Sequence, residues 1–551
     1  MEALQLPPEV LHMIITGQSR KKLVVLRQVC RTFNQIVEPL LFSTITLTDF
    51  NTSNAPLDPF YNFLESLANG TTNAGAHVRN LLVMRVTPPD VSKTLDETKA
   101  DGKNFKGDHE EKMKKWLLRA LGSLKSLRCV SWTPSNSDPQ WIQDCITQYL
   151  VQLPTLEEFN IKWIYKISGK IRLDQISNLK KLSVKGTTEI FRAGLLEQAI
   201  SIVSNSPNLT SLAMSDDDYD ASDDTSTFDL FFDVLPTSLP PLRLTEVISS
   251  YFPLRLGEVA LQHVKGLKSL TLEGKPDEEP DDVDGNEEED WEINWAKDEE
   301  EDGEGKGSSP CRPKLQPNPV LVRQIQDRRP KSTAFWNKLR LSDIQLERLH
   351  LEDVDHSALG YLASYNGLRA LHFPDIDASR GAIVDHLTTT FFTEVLPMHV
   401  ETLEELTVVS AYLPAWSLNA QILNLFAQCK NLRTLHVSWE PNAAGSIKTL
   451  YSLLDLSKSL PCLQSLTISF AYPRFMRVAP CGNPWIRRRD SYRKKATEIF
   501  PGYEQVDKTK NLYMVEAGGL KFKLRPSEDS KGYRYQFAPP KARKKVVWGD
   551  C

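Results

Sequence analysis

The chain has 551 residues, 40% of them hydrophobic and 25% charged, with a formal net charge of -5, an ordinary globular balance long enough for several domains or one repetitive one. Its eight cysteines form no CxxC pair, which sets aside a disulfide framework and a structural zinc site. No stretch approaches the roughly 20 apolar residues needed to cross a bilayer, and no basic-then-apolar leader follows Met1, so a reducing compartment, cytosol or nucleus, is expected.

The run Leu6-Pro7-Pro8-Glu9 reads as a helix start, because proline is tolerated in a first turn and a carboxylate suits the positive helix end. Leu6, Val10, Ile14 and Ile15 form an apolar stripe, and Gly17 is the expected stop. Ser19 is placed to cap a second helix, with Lys22 where a capping box would have Glu. Leu23, Leu26, Val29, Cys30 and Phe33 repeat at three- and four-residue spacing. A third segment carries Ile36, Val37, Leu40, Leu41 and Phe42, with Pro39 interrupting it. Three short helices bury little, and below about 70 residues a lone core is marginal. The unit must therefore finish its packing against something. Either it caps the chain that follows, or it docks on another polypeptide.

The residues Leu6-Pro7-Pro8-Glu9-Val10, Ile14-Ile15, Leu23, Leu26-Arg27, Val29-Cys30-Arg31 and Phe33-Asn34 resemble an F-box. With Glu38-Pro39-Leu40-Leu41-Phe42 the run is similar to the start of many fungal F-box proteins. The resemblance covers about residues 4–45, and the domain is expected over 1–45. It implies docking on a Skp-type adaptor, and through it a cullin-RING ubiquitin ligase. It also implies an adaptor surface drawn from Leu6, Pro7, Pro8, Val10, Ile14, Leu23, Leu26, Val29, Cys30 and Phe33. Gln18 and Lys22 depart from the family pattern, which often has leucine at the first position and an acid at the second.

From residue 46 a phrase L-x-x-L-x-hydrophobic recurs. It stands at Val78 (VRNLLV, apparently isolated), Leu124, Leu156, Leu179, Leu209, Leu239 and Leu267, then at Leu346, Leu368, Leu403, Leu432 and Leu463. The spacing, near 22 to 30 residues, falls around the leucine-rich-repeat period. The fourth and sixth residues of each phrase alternate inward on a short strand, and the first leucine packs at its approach. Helical returns are expected at Leu423, Leu425 and Phe426, at Phe231, Phe232 and Leu235, and at Phe391, Phe392, Val395 and Leu396. Pro236 and Pro397 are expected to end the last two. The expected fold class is α/β: a three-helix F-box (1–45), then an irregular leucine-rich-repeat solenoid in two parts (46–275 and 331–478). An α/β domain with a conventional open sheet is the competing reading, though it calls for longer apolar strands. Leucine-rich repeats often follow the box in the family that the first residues resemble.

Residues beside the inward ones would stack into a binding surface. Arg128, Asn160, Lys162, Arg243, Arg348, His350, His372 and His436 are the candidate substrate contacts. The three histidines share a repeat position, but Thr407 interrupts them. Ligands must lie about 2 Å from one ion while strands stand near 4.8 Å apart, so no metal is expected.

Residues 276–330 interrupt the array with DEEPDDVDGNEEEDWEINWAKDEEEDGEGKG, too charged to pack. Trp291 and Trp295 within it are either a docking motif or an anchor onto the repeats. Residues 479–551 form a basic, aromatic extension. Its alternation at Tyr513, Met514, Val515, Phe522, Leu524, Tyr533, Tyr535 and Phe537 suggests a hairpin covering the last repeat, while IRRRDSYRKK and KARKK suit nuclear targeting, nucleic-acid binding or pairing with the acidic run.

No phosphate loop, dinucleotide fingerprint, HExxH or GxSxG occurs. Cys30, on an apolar stripe, reads as packing. A non-catalytic substrate-recruiting subunit is therefore expected, with no cofactor and a contribution by proximity alone. Its expected partners are a Skp-type adaptor, a cullin and an unknown protein target, with no membrane and no nucleic acid. A scaffold without a ligase role is the alternative.

Overall fold

A computed structural model describes residues 7–48, 58–87, 105–136, 138–163, 171–216, 228–233, 235, 240–251, 256–273, 330–374, 376, 382–410, 414–471, 484–505, 514–527 and 532–538. The chain divides into two units. The first holds residues 1–274 and 338–351; the second holds 275–337 and 352–551. The acidic run and the KARKK patch lie outside the described residues, as do Leu6, Pro236 and Tyr513.

The first unit opens with helices α1 (Pro8–Thr16), α2 (Arg20–Leu26) and α3 (Arg31–Leu41). Strands β1 (Thr44–Leu47), β2 (Asn80–Val83), β3 (Cys129–Trp132), β4 (Glu158–Lys162), β5 (Lys181–Gly186), β6 (Ser211–Asp216), β7 (Glu246–Ser250), β8 (Ser269–Glu273) and β9 (Arg348–Leu351) follow. Each pairs in parallel with the next in the sequence. Spatial order equal to chain order is what stacked strand-and-return units produce, and a doubly wound sheet does not produce it.

The phrase explains the packing. Within β5, Leu182 and Val184 are buried, and Leu179 at the approach is fully covered. Leu209, Leu212 and Met214 repeat the arrangement, as do Leu346, Leu349 and Leu351. At the entries of β2 to β9 one carbonyl accepts two N–H groups. Arg128 O takes Glu157 N and Glu158 N at 2.8 and 2.9 Å, and Glu157 O takes Lys180 N and Lys181 N at 2.8 and 3.0 Å. The two lone pairs of a carbonyl permit this, and the doubled bond fixes each strand's register against its neighbour.

The second unit repeats the scheme with β10 (Ala370–Phe373), β11 (Glu405–Val408), β12 (Thr434–Trp439) and β13 (Ser465–Phe470), paired in parallel order. It closes with β14 (Glu504–Gln505), β15 (Met514–Ala517), β16 (Leu520–Pro526) and β17 (Tyr533–Phe537). Here β15 adds in parallel to β13, while β15, β16 and β17 run antiparallel and β14 pairs with β17. The expected terminal hairpin is thus present. Its two-residue turn uses Gly518 (φ 54°) and Gly519 (φ 78°), the left-handed pair such turns require. A side chain at Gly518 would collide with the Phe470 ring, whereas one at Gly519 would meet only the tip of Arg493 at 3.3 Å.

Several expectations need correction. VRNLLV is not isolated, because β2 pairs with both β1 and β3. The phrase at Leu124 starts three residues too early: the inward pair is Val130 and Trp132, which puts the leading leucine at Leu127, so Arg128 precedes the strand. The phrase at Leu239 is likewise displaced. There β7 begins at Glu246 and its inward pair is Val247 and Ser249, so Arg243 lies outside the strand. In both places leucines three apart occur in overlapping frames, and burial rather than spacing picks the strand. The boundary at residue 45 falls inside β1. The helix carrying Phe231 and Phe232 stops at Asp233, short of Leu235. Pro397 does not end its helix. The backbone passes through a wider π-type turn at Phe391–Val395 and continues over Leu396–His399 with Pro397 inside it. The helix Ala420–Phe426 forms where its apolar spacing places it.

Gly518→Asn should lower the stability of the second unit by about 2 kcal/mol or more, while Gly519→Asn should stay within about 0.5 kcal/mol. Urea unfolding compares them, and equal losses would show that φ rather than the Phe470 contact decides. His399 gives a second test. It is 1% exposed, its Nε2 lies 3.1 Å from Leu362 O, and burial pushes its imidazole down to about 4. A free imidazole in the unfolded chain titrates near 6.5. The stabilisation is therefore intact above pH 6.5 and is lost as pH falls toward 4, by at most about 3 kcal/mol. Unfolding midpoints from pH 7 to 4 should fall less steeply for His399→Gln.

Candidate functional site

The N-terminal helices sort their apolar residues into two sets. Leu11, Ile15, Leu23, Val37 and Leu41 are buried in a small core, with Leu26, Phe33, Ile36, Leu40 and Phe42 packed partly against it. A second set faces outward: Ile14 is 54% exposed, Val25 64% and Val29 62%, and Met13 and Val24 are exposed as well. Both sets arise from local geometry. Helix α1 begins after Pro7, whose carbonyl accepts Val10 N and Leu11 N at 3.0 and 3.1 Å. The i, i+4 pair Leu11 and Ile15 then faces in, which turns Ile14 out. The run Leu23-Val24-Val25-Leu26 covers more than one helix face, so part of it must remain in water.

Ile14, Val25, Leu26 and Phe33 line a groove of about 660 Å³ between the helices, with Gln18, Lys21 and Lys22 among its polar lining. The two departures from the family pattern act together there. Lys22 Nζ donates to Gln18 Oε1 at 3.2 Å, and Gln18 Nε2 donates back to Ile14 O at 3.1 Å. Lys22 and Gln18 thus brace one another beside the groove and leave a positive charge at its rim. Arg27 lies 3.9 Å from Glu38 and over the Phe42 ring at 5.4 Å, tying the turn after α2 to the end of α3.

The residues expected to form an adaptor surface therefore separate. Pro7, Ile14 and Val29 are exposed; Val10, Leu26, Cys30 and Phe33 are half-buried. Pro8 starts α1, although its side chain lies outside the described residues, as does all of Leu6. Leu23 is 8% exposed and belongs to the core, so its contribution is to hold the helices rather than to touch a partner. Cys30 is not on a helical stripe. It is the extended residue before α3, because α2 stops at Leu26. Ser19 takes the capping position of α2 without a side-chain capping bond, and Gly17 ends α1 with φ -85°, outside the left-handed region. Pro39 lies within α3 rather than interrupting it: Phe42 N still reaches Glu38 O at 3.0 Å. Spacing alone missed Met13, Val24 and Val25. Their signal was the unbroken apolar run, too wide for one face.

The strand faces carry the other candidates. Within the first unit, Asn160 and His350 share one register row, but five strand spacings separate them, roughly 24 Å at 4.8 Å each. Asn160 Nδ2 donates to Ser131 Oγ at 3.3 Å, and Lys162 stands beside Lys185. Arg348 is exposed on β9. Arg128 pairs with Glu157 at 3.8 Å at a strand entry, and Arg243 is an exposed residue ahead of β7.

In the second unit His372, Thr407, His436 and Thr467 form one row across β10 to β13. His372 Nδ1 lies 3.0 Å from Thr407 Oγ1, and its Nε2 lies 3.6 Å from Glu405. His436 Nε2 lies 2.8 Å from Ser469 Oγ. Burial, and then the nearby His372, hold the His436 imidazole below its usual range. Thr407 does stand between the two histidines, as the repeat alignment expects. The arrangement is a half-buried strip of hydroxyls and imidazoles fit for hydrogen bonding. Among the described residues no group of three or more His, Cys, Asp or Glu is placed to hold a metal. Burial raises the Cys145 thiol to about 11 and the Cys429 thiol to about 12, so neither is a thiolate at neutral pH.

Residues 3–48 match the family described as F-box-like. No curated protein matches the chain. Among solved structures it is similar to one titled "Crystal structure of TLR13-ssRNA13 complex", at 11% identity and a TM-score of 0.24, over 72% of this chain. The match spans 43% of that structure's chain.

Leu11→Ala and Ile15→Ala should each destabilise the helical unit by about 2–4 kcal/mol, whereas Ile14→Ala and Val25→Ala should change it by no more than about 0.5 kcal/mol. Hydrogen exchange of the amides in α1 to α3 reads the difference. Equal losses at all four positions would show that the outward set is packed.

Proposed function

We propose that this protein is a substrate-recruiting subunit of a cullin-RING ubiquitin ligase: an F-box that docks on a Skp-type adaptor, followed by a leucine-rich-repeat solenoid that holds a protein target. The observation that carries the reading is the division of labour in the first helices. They keep a core of their own and still present Ile14, Val25 and Val29 to water beside an apolar groove. A unit that merely capped the repeats would turn its spare apolar residues toward them. F-box domains generally bind Skp-type adaptors, and the match of residues 3–48 to the F-box-like family supports the same reading here.

The contribution to ubiquitin transfer is then positional. On this reading the chain brings a target close to a transfer reaction catalysed by other subunits, which raises the target's effective concentration; among the described cysteines, Cys145 and Cys429 are held as thiols by burial. Buried apolar contacts dominate such interfaces, so Ile14, Val25 and Phe33 carry most of the adaptor affinity and the lysines steer approach. The target side is assigned to the polar strand faces, with the His372-Thr407-His436 strip in the second unit and the Asn160 region in the first. We place the protein in the nucleus or cytoplasm, where such ligases operate. The competing reading, a repeat scaffold with no ligase role, predicts no adaptor at all.

Ile14→Asp with Val25→Asp should abolish co-purification of adaptor and cullin while the melting temperature stays unchanged; Leu6→Ala with Pro7→Ala should do the same. Retained adaptor in both double variants would overturn the assignment. Deleting residues 1–42, which removes the three helices and stops short of β1, should remove adaptor and cullin while leaving other bound proteins, which are the target candidates.

A further inference from the structure

We propose that the groove between the helices Ser446–Ser459 and Pro484–Gly502 docks an acidic peptide bearing tryptophan, and that its occupant is this chain's own segment Glu287–Asp302. The groove measures about 710 Å³ and lies wholly within the second unit. Its apolar part includes Ile447, which is 42% exposed, and Tyr451, whose hydroxyl is spent on Ile499 O at 3.0 Å. Its cations are Lys448 and Lys495. Lys495 Nζ donates to neutral oxygens, Asn442 Oδ1 at 2.6 Å and Pro441 O at 3.2 Å. The acid in the groove, Asp455, is already engaged by Lys458 at 2.8 Å and by the Tyr503 hydroxyl at 2.6 Å. The site thus offers an uncovered apolar surface flanked by two positive charges that Asp455 does not neutralise.

A ligand complementary to that surface has a large apolar side chain between carboxylates. The sequence contains one. Glu287-Glu288-Glu289-Asp290 precede Trp291-Glu292-Ile293-Asn294-Trp295, and Asp298-Glu299-Glu300-Glu301-Asp302 follow. A buried tryptophan contributes most of the affinity, exposed charge pairs add less and are screened by salt. Tethering in one chain gives an effective concentration in the millimolar range, so even a weak contact would be occupied. None of this depends on the ligase reading.

The test uses full-length protein in which residues 277–304 are replaced by a Gly/Ser linker of equal length, titrated with a fluorescent synthetic peptide Glu287–Asp302. The peptide should bind with a Kd of about tens of micromolar, weakening at high salt. Lys448→Glu, which breaks no hydrogen bond of the groove, should weaken it at least about three-fold, and Lys448→Glu with Lys495→Glu at least about ten-fold. A peptide with both tryptophans changed to alanine should bind at least about ten-fold more weakly. The intact chain should bind the added peptide at least about five-fold more weakly than the linker variant, because its own segment competes. Absence of binding to the linker variant, indifference to Lys448→Glu, or equal binding to the intact chain each overturns the proposal. Melting curves of each variant confirm that it is folded.

Discussion

The doubled hydrogen bond at the entries of β2 to β9 and of β11 to β13 is the constraint on which the parallel ladders rest. A short strand of four to six residues has few ladder bonds with which to hold register, and a slip by one residue would turn its buried set into water. Ser43 O, Arg79 O, Arg128 O, Glu157 O, Lys180 O, Thr210 O, Thr245 O and Lys268 O each accept two N–H groups from the following strand. In the second unit Arg369 O, Glu404 O and Arg433 O do the same. The side chains at these positions then pair: Glu157 meets Arg128 at 3.8 Å and Lys180 at 2.9 Å, and Glu404 meets Arg369 at 3.8 Å and Arg433 at 3.4 Å. Such exposed pairs contribute little energy. They follow from a backbone that places one side chain of each repeat above the last.

Surface character is divided along the chain by the same economy of apolar surface. The repeats spend theirs inward, since each strand buries its alternate residues against its neighbours'. The first helices cannot, because the set is too large for the core they build. What is left over forms a groove with a basic rim, and a partner with an apolar ridge and an acidic margin is the natural complement. On the strand faces the surplus is polar instead. Hydroxyls, amides and imidazoles bond across neighbouring strands, as Asn160 does to Ser131 and His436 to Ser469. If a target binds there as proposed, these bonds order the surface beforehand and reduce the entropy lost on binding.

Much of this was legible in the residues. The phrase at Leu156, Leu179, Leu209, Leu267, Leu346, Leu368, Leu403, Leu432 and Leu463 marks strands because its leucines have one structural solution. The first strand escaped because Phe42 takes the leading position and directly follows a helix. Arg128 and Arg243 were misplaced because two overlapping leucine frames exist near each, and only neighbouring strands decide between them. The division of Leu11 from Ile14 is a tertiary fact: both belong to apolar i, i+4 pairs, and only packing against Val37 and Leu41 selects one. Cys30 looked helical because spacing ignores the break that an extended residue introduces before Arg31. The polar network around His436 has no sequence signature, since it joins residues 33 positions apart.

The terminal hairpin carries a consequence for the molecule's life in a crowded cell. An open parallel ladder ends in a row of unpaired amides and carbonyls, an invitation to polymerise with any extended segment nearby. Here β15 occupies that row on β13, and the ribbon through β16 and β17 finishes in the two-residue strand β14. Strands β14 to β17 therefore act as a stopper against fibre formation. Truncating them to map a binding region would leave a sticky margin, and proteins captured on it would reflect aggregation rather than recognition.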